Sequence, residues 1–316
     1  MERTSGTTAA SRKTVLIALA SNATVAIVKL IGGLISGSTA MLAEAAHSVA
    51  DTANQAFLLV SIKLSGREPT PEQPFGYGQE RFLWTFMAAI GMFLAGAVFA
   101  IGYGVYQLMK GGESGGYLAA YITLAISLAA EGASWVRALR QTRGEADEAG
   151  LPLLEYVRGS RDPNVKMVLF EDTAALIGIF IALAGIVADQ VSGAKVFDPS
   201  ASIAIGFLLV FVAMWMGRDV SHLLIGAAAR PDERDALERA LAEFDEVDEV
   251  LELLTMALGP NSLMVAARID LADGLDEDRI EQVSEEIDER LRDTVPDVTE
   301  VFLDATPGRH AQRART

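Results

Sequence analysis

The sequence predicts a two-part membrane protein, in which a bundle of six transmembrane helices precedes a small soluble α+β domain. Six apolar segments are long enough to cross about 30 Å of hydrocarbon. The 316 residues are 51% hydrophobic with a mean hydropathy of +0.29, which is too apolar for a soluble protein of this length. The net charge of −16 is concentrated at one end, since 24 acidic and 10 basic residues lie between Arg230 and Thr316.

The six predicted spans are 14–36, 38–62, 82–109, 117–138, 164–188 and 199–218. Lys and Arg gather before the first span, after the last, and in the loops after the second and fourth. The three opposite loops hold only Lys110 and Lys195. This asymmetry predicts that both termini are cytoplasmic. No apolar segment with a cleavage site precedes the first span, so we expect no removable signal peptide.

Beyond residue 230 the periodicity changes to that of a layered α+β domain. A helix is predicted at 232–244, a strand at 247–258, an alternating strand at 261–271, a helix at 275–291 and a strand at 298–305. This α-β-β-α-β order is typical of a ferredoxin-like domain with its helices on one face of the sheet. The expected organisation is a cytoplasmic N-terminal tail, a membrane domain, a cytoplasmic domain and a disordered tail, at 1–12, 13–229, 230–305 and 306–316.

Composition and motifs exclude several functions. The acidic C-terminal region argues against a nucleic-acid partner, and the absence of cysteine restricts any metal site to His, carboxylate or backbone oxygen ligands. The G-x-S-x-G match at 112–116 lies in a short loop between two spans, whereas a hydrolase needs it on a strand-to-helix elbow. No nucleotide-binding G-x-x-x-x-G-K-[ST] motif occurs. We therefore expect a protein that is not an enzyme.

The second span carries an unusual polar segment, AEAAHSVADTANQ, at 43–55. Each ionisable group in a membrane helix costs at least ~2.5–3.5 kcal/mol on insertion scales, so such groups are expected to face a functional interior. His47 and Asp51 are four residues apart, on one face of a helix, and could chelate one divalent cation. The alternative is a buried His–Asp pair that only fixes helix packing.

The fifth span contains two adjacent acids, Glu171 and Asp172, in KMVLFEDTAALIGIF. Two carboxylates in lipid should not both stay ionised without a cation or a strong partner, which a metal between spans two and five would supply. Adjacent helical residues point ~100° apart, so we favour Asp172 as the direct ligand. Glu171 is then a longer-armed or supporting group, or alternatively lies at the membrane interface.

Four further polar residues lie within predicted spans. We expect Lys29 to neutralise Glu44 or another acid, and Glu131 to carry protons or to support the ligands. Asn22 could hydrogen-bond between helices. Each of these groups could instead have a purely structural role.

The segment SGSTAMLAEAAHSVADTANQAFLL, followed by QPFGYGQERFLWTF, resembles the cation diffusion facilitator family over about residues 13–305. The resemblance implies a homodimeric exporter of Zn²⁺ or a related divalent cation from the cytoplasm, usually in exchange for protons. It also implies a transport site made by [His/Asp]-x-x-x-Asp on spans two and five. His47 and Asp51 match the first pair, and Asp172 matches the second aspartate because Gly178 follows it at the family's spacing.

The chain departs from the family pattern at several ligand positions. Val168 occupies the other ligand position of span five, and Glu171 is its natural substitute. Gln73 and Tyr77 replace the usual ligands of the loop after span two, so that loop site is expected to be lost. The tail offers only His310 and Asp304, so we expect it to dimerise without a binuclear zinc cluster.

The expected activity is export of Zn²⁺, or of Mn²⁺, Co²⁺ or Fe²⁺, by metal/proton antiport. One imidazole and several carboxylate oxygens distinguish these ions only weakly, so zinc is implied by the resemblance. The expected location is a multi-pass position in a prokaryotic inner membrane, surrounded by lipid. The alternative is a non-transporting membrane scaffold or metal sensor that keeps the fold, which the valine at position 168 and the missing tail histidines motivate.

Overall fold

The computed structural model describes residues 3–111, 115–159 and 163–305, with side chains for 19–91, 95–111, 115–159 and 166–305. The chain divides into two compact units, of which the first comprises Met1–Leu64 and Arg81–Ser221. The second comprises Ser65–Glu80 and His222–Thr316. Ser114 of the G-x-S-x-G match, and the predicted disordered tail with His310, lie outside the described residues.

The first unit is helical. Its helices are α1 (Arg3–Ser36), α2 (Thr39–Ser65), α3 (Glu80–Met92), α4 (Val98–Lys110), α5 (Tyr117–Glu148), α6 (Leu153–Gly159), α7 (Pro163–Ser192) and α8 (Phe197–Gly226). A π-helical segment, Phe93–Ala97, joins α3 to α4, so the predicted third span is one helix with a wider turn inside it. The first helix begins at Arg3 and therefore includes most of the predicted N-terminal tail.

Five stretches among the described residues are long and apolar enough to cross a membrane, and they lie in α1, α3–α4, α5, α7 and α8. Helix α2 has 27 residues, which is sufficient length for a crossing. It differs from the other five in composition, because it carries Glu44, His47 and Asp51 within its buried face. That α2 crosses the membrane stays a prediction. The helices before and after it in the chain, α1 and α3–α4, are among the five that are long and apolar enough to cross.

Small residues let the helices of the first unit approach closely. On α7, Ala174 and Ala182 are 2% and 0% exposed, and a Cβ at Gly178 between them would overlap the Oε1 atom of Glu44. On α1, a Cβ at Gly32 would overlap the side chain of Thr123. Contacts of this kind replace the hydrophobic drive that helices lack in lipid.

The second unit has the predicted α-β-β-α-β order. Its elements are α9 (Pro231–Ala242), β1 (Val247–Gly259), β2 (Ser262–Leu271), α10 (Glu277–Thr294) and β3 (Val298–Ala305). The sheet order is β1-β2-β3, with β1 antiparallel and β3 parallel to β2. In register, Ala267 of β2 lies between Leu253 of β1 and Leu303 of β3.

Alternation along β2 builds the core of this domain. Leu263, Val265, Ala267 and Ile269 are at most 2% exposed, as the sequence predicted, while Leu271 is half-buried. The helices cover this face with Leu237 and Leu241 of α9 and with Val283, Ile287 and Leu291 of α10. All these side chains therefore share one hydrophobic core.

The segment Ser65–Glu80 belongs to the second unit, although it lies between α2 and α3 in the chain. The ring of Phe75 meets that of Phe302 edge to face at 6.3 Å, and Gly78 approaches the backbone of Leu258 too closely for any side chain. The Tyr77 hydroxyl lies 3.1 Å from Thr70 Oγ1. Tyr77, at the position where the resemblance implies a loop ligand, thus makes a contact within its own loop.

Candidate metal centre

One face of α2 gathers the polar residues that the sequence singled out. Glu44, His47, Asp51 and Asn54 follow one another at spacings of three and four, which places them on one side of a helix. Their exposed fractions are 0%, 0%, 6% and 2%. The face is therefore turned into the protein along three turns of the helix.

His47 and Asp51 lie at ion-pair distance without a hydrogen bond between them. His47 Nε2 is 3.3 Å from Asp51 Oδ1, but the geometry is not that of a hydrogen bond. In the described part of the chain, both ring nitrogens of His47 and Oδ1 of Asp51 lack a hydrogen-bond partner. A buried polar atom left unpaired costs about 1–3 kcal/mol, so these atoms are suited to a ligand that takes their lone pairs.

The two acids of α7 turn to different neighbours. Glu171 is buried, accepts a short hydrogen bond from Asn54 Nδ2 and lies near enough to Asp51 for direct electrostatic repulsion. Asp172 is half-buried and accepts a hydrogen bond of 3.1 Å from Ser134 Oγ on α5. Glu171 thus contacts Asn54 on the polar face of α2, while Asp172 lies within electrostatic range of His47 and Asp51. That Asp172 is the direct ligand stays a prediction.

A buried ion network lies one turn before His47. Lys29 Nζ on α1 is 3.0 Å from Glu44 Oε2 on α2 and 3.1 Å from Glu131 Oε1 on α5. The ammonium group is completely buried. Lys29 thus forms an ion pair with Glu44 and a second one with Glu131. We refer to Lys29, Glu44 and Glu131 as the ion triad.

Asn22 does not join this centre. It is half-buried on α1, two turns before Lys29. Within the described side chains it makes no hydrogen bond to the ion triad or to His47 and Asp51. Its role in supporting the site stays a prediction, and none of the hydrogen bonds or ion pairs described for the centre involves Asn22.

Two residues of the centre were not among the ligand candidates that we named from the sequence. Asn54 is visible as a polar residue in a span, and its spacing from Asp51 is the signal that places it on the ligand face. Gly96 lies in the π-helical segment, where an added Cβ would be 3.9 Å from His47 Cα and 2.8 Å from Leu209. The wider turn between α3 and α4 thus approaches the backbone of α2 at the histidine, and π-helical turns are often found at functional sites.

The ligand candidates lie on facing helices without converging on one point. In the described ranges, no three His, Asp or Glu side chains are close enough together to hold a metal ion. Asp51 and Glu171 are both buried, and they would repel one another if both were ionised. A divalent cation between α2 and α7 would remove that repulsion, which is a physical reason for the groups to close around an ion.

A second polar cluster lies at the start of α2. The Asp198 carboxylate of α8 accepts hydrogen bonds from Ser38 Oγ at 2.6 Å, from the Thr39 backbone N–H at 2.6 Å and from the Ala40 N–H at 3.4 Å. On α7, Asp189 Oδ1 accepts from the Phe197 N–H at 2.8 Å. Asp198 therefore satisfies the free N–H groups at the N-terminus of α2 from another helix.

An apolar bundle with a buried imidazole and carboxylates on facing helices defines a membrane protein built to handle cations. The family model described as the cation efflux transmembrane domain matches residues 15–225. The chain belongs to this family, the cation diffusion facilitators. Its members are divalent metal cation efflux transporters rather than enzymes.

Three relatives illustrate the range of the family. Metal tolerance protein C4 of Arabidopsis thaliana is 34% identical over 235 residues, covering 74% of this chain and 51% of that protein. The mitochondrial proton-coupled zinc antiporter SLC30A9 of Xenopus laevis is 31% identical over 258 residues, covering 82% and 46%. The manganese efflux system protein MneP of Bacillus subtilis is 23% identical over 297 residues, covering 94% and 96%. The chain spans about half the length of the first two proteins.

Proposed function

We propose that this chain exports a divalent cation, principally Zn²⁺, in exchange for protons, through a site between α2 and α7. The observation that carries the proposal is the buried His47–Asp51 pair, whose ring nitrogens and Oδ1 have no hydrogen-bond partner in the described part of the chain, beside Asn54, which donates to Glu171 of α7. The names of two relatives, a zinc antiporter and a manganese efflux protein, support a divalent cation. Mn²⁺, Co²⁺ and Fe²⁺ are the further candidate substrates.

Proton coupling follows from the chemistry of the ligands. An imidazole binds a metal only through an unprotonated nitrogen, and a carboxylate binds best when ionised. A cation that enters the site therefore displaces protons, and protons that return displace the cation. Alternating exposure of the two states to the two sides of the membrane yields antiport.

The ion triad gives the site a fixed electrostatic background. Lys29 pairs with both carboxylates and offsets one of their two negative charges, which lowers the demand of Glu44 and Glu131 for a cation from outside. We infer that the ion triad remains paired while His47, Asp51 and Glu171 exchange metal for protons. In this view Glu131 supports the site and does not itself carry the exchanged proton.

The test is cation uptake into proteoliposomes under an imposed pH gradient, with Zn²⁺, Mn²⁺, Co²⁺ and Fe²⁺ in parallel. We expect proton-dependent flux in the wild type and its loss in Asp51→Asn. Asp189→Asn is the matched control, because it changes a buried acid of the bundle that accepts a backbone hydrogen bond away from the site. Absence of flux for every ion, in protein that is folded, would favour the scaffold or sensor function instead.

We further propose that both termini lie in the cytoplasm of a prokaryotic cell and that the C-terminal domain dimerises without a zinc cluster. The chain contains no cysteine, so single cysteines give clean topology labels. Glu148→Cys should react only with reagents on the cytoplasmic side, and Lys195→Cys only from the other side. Light scattering of the detergent-solubilised full chain, before and after chelation, measures the dimer and its dependence on metal.

A further inference from the structure

Asn54 occupies a position that the ligand motif leaves unassigned. It lies on α2, three residues after Asp51 and seven after His47, so its side chain shares their face of the helix. Only 2% of it is exposed. Its Nδ2 donates to Glu171 Oε1, and within the described residues its Oδ1 has no hydrogen-bond partner.

The donated hydrogen bond fixes the orientation of this amide. Because Nδ2 is engaged by the carboxylate on α7, Oδ1 must point away from Glu171 while staying on the buried face. A buried carbonyl oxygen without a donor is costly, and an amide oxygen is a ligand for divalent cations. The Nδ2 atom of Asn54 therefore positions one candidate ligand, Glu171, while its Oδ1 atom is available to bind a cation.

The candidate site needs such an atom. Val168 stands where the resemblance implies a further ligand on α7, and its side chain has no lone pair to offer. Asp172 is engaged by Ser134 in this structure, so His47, Asp51 and Glu171 provide one nitrogen and two carboxylates, which is one group short of a tetrahedral set. The amide oxygen of Asn54 is the neutral group on the same face that completes it.

We propose that Asn54 binds the transported cation through Oδ1 and so replaces the ligand that is missing at position 168, where this chain has a valine. Through Nδ2, the same side chain holds Glu171 in position. This inference rests on the proposed function. A set of one imidazole and three oxygen ligands suits Mn²⁺ as well as Zn²⁺, because amide and carboxylate oxygens favour the harder ion. Asn54 thus broadens the range of ions that the site accepts.

The experiment measures cation affinity and transport in the same variants. Binding of Zn²⁺, Mn²⁺ and Co²⁺ to the detergent-solubilised full chain is titrated, with the Co²⁺ absorption spectrum as a report on the ligands. Half-saturating concentrations and maximal rates are then measured in proteoliposomes. Gln55→Ala is the matched control, because it removes an amide from the next position of α2, on another face of the helix.

We expect Asn54→Ala to weaken Zn²⁺ binding by about 10-fold or more and Gln55→Ala to leave it unchanged. Asn54→His should raise the ratio of Zn²⁺ to Mn²⁺ affinity above that of the wild type and alter the Co²⁺ spectrum. In a Glu171→Gln background, Asn54→Ala should weaken binding further, because a ligand is lost in addition to a positioning contact. If Asn54→Ala does not fold, the isosteric Asn54→Asp and the larger Asn54→His carry the test.

Two results would overturn the inference. One is Zn²⁺ affinity within about twofold of the wild type in Asn54→Ala, and the other is no further loss in the Glu171→Gln background. Either result with intact wild-type flux removes only the role of Asn54. Wild-type protein that binds Co²⁺ in an Asn54-dependent manner but transports no ion would instead remove the proposed transport and leave the ligand role standing.

Discussion

Two polar centres share the buried face of α2, one turn apart, and they differ in how their charges are satisfied. In the ion triad, one ammonium lies 3.0 and 3.1 Å from two carboxylates. In the ligand face, His47 and Asp51 lie 3.3 Å apart and keep nitrogen and oxygen atoms that are unpartnered among the described residues. Both centres are costly to bury. In the described residues, the ion triad leaves one buried oxygen, Glu44 Oε1, without a hydrogen bond, whereas His47, Asp51 and Asn54 leave four such atoms.

The difference shows how a membrane bundle can hold several ionisable groups and use only some of them. A compensated network stabilises one arrangement of helices, because each partner would be unpaired in any other. The face of α2 that carries His47 and Asp51 would instead be stabilised by a bound cation. A substitution in the ion triad should therefore act on folding, and one in the ligand face should act on binding.

The largest effect is expected from Lys29→Met, which leaves Glu44 and Glu131 buried without a cation. Breaking a buried pair by removing one partner costs about 3–5 kcal/mol, so the variant should lose most of its folded population. The measurement is the thermal midpoint of the detergent-solubilised protein. Combining it with Glu44→Gln and Glu131→Gln removes all three charges and should restore most of the stability. A stable single variant would show that the ion triad is not a structural network.

A smaller effect, confined to binding, is expected from Asp51→Asn. Losing this carboxylate should weaken Zn²⁺ binding by about 100-fold, or about 2.7 kcal/mol. The thermal midpoint in the absence of metal should stay the same or rise, because the repulsion between Asp51 and Glu171 is removed. Titration and thermal unfolding of the same preparation test both parts. A large fall of the midpoint without metal would place Asp51 among the structural groups.

Asp198→Asn tests a third cluster on α2, where the carboxylate is compensated by N–H and O–H donors and not by a charge. The amide keeps one acceptor oxygen but loses the negative charge at the helix N-terminus, which should cost about 1 kcal/mol of stability. Zn²⁺ affinity should be unchanged, because the cluster lies more than two turns from His47. Altered affinity with an unchanged midpoint would reverse this assignment.

The smallest effect is expected at a half-buried ion pair of the second unit. Arg279 donates two hydrogen bonds to Glu246, which lowers the pKa of this carboxyl below its ordinary value of 4.5. The pair therefore contributes stability above pH 4.5, and the contribution is lost as the pH falls through the lowered pKa. Glu246→Gln should lower the midpoint slightly at neutral pH and not at acidic pH. Glu285→Gln, an exposed neighbour, is the control, and equal effects of the two at all pH values would contradict the prediction.

Much of the architecture could be predicted from local pattern. The alternation at Leu263, Val265, Ala267 and Ile269 predicted β2 and its buried face, because the side-chain period of a strand is two. The spacing of His47 and Asp51 predicted that the two would meet, because helical residues four apart are neighbours. Both predictions use periods set by backbone geometry, so neither requires knowledge of what lies opposite.

The partners across the bundle could not be predicted in this way. Lys29 had several acids within reach in the sequence, and only the packing of α1 against α5 brings Glu131 to it, 102 residues away. Which of Glu171 and Asp172 contacts Asn54 of α2 and which contacts Ser134 of α5 depended on the rotation of α7 about its axis, which the neighbouring residues of the same helix do not define. The approach of Gly96 to His47 likewise follows from a single extra-wide turn between α3 and α4.

The sequence by itself thus determined which helices and strands form, which of their faces are polar and which family the chain resembles. All of these depend on residues a few positions apart. Only the tertiary structure decided which buried charges are paired and which remain available, because those distances join residues 15 to 117 positions apart. The physical reason is that burial makes every unpaired charge costly, so its nearest neighbours in space decide whether it stabilises the fold or binds a cation.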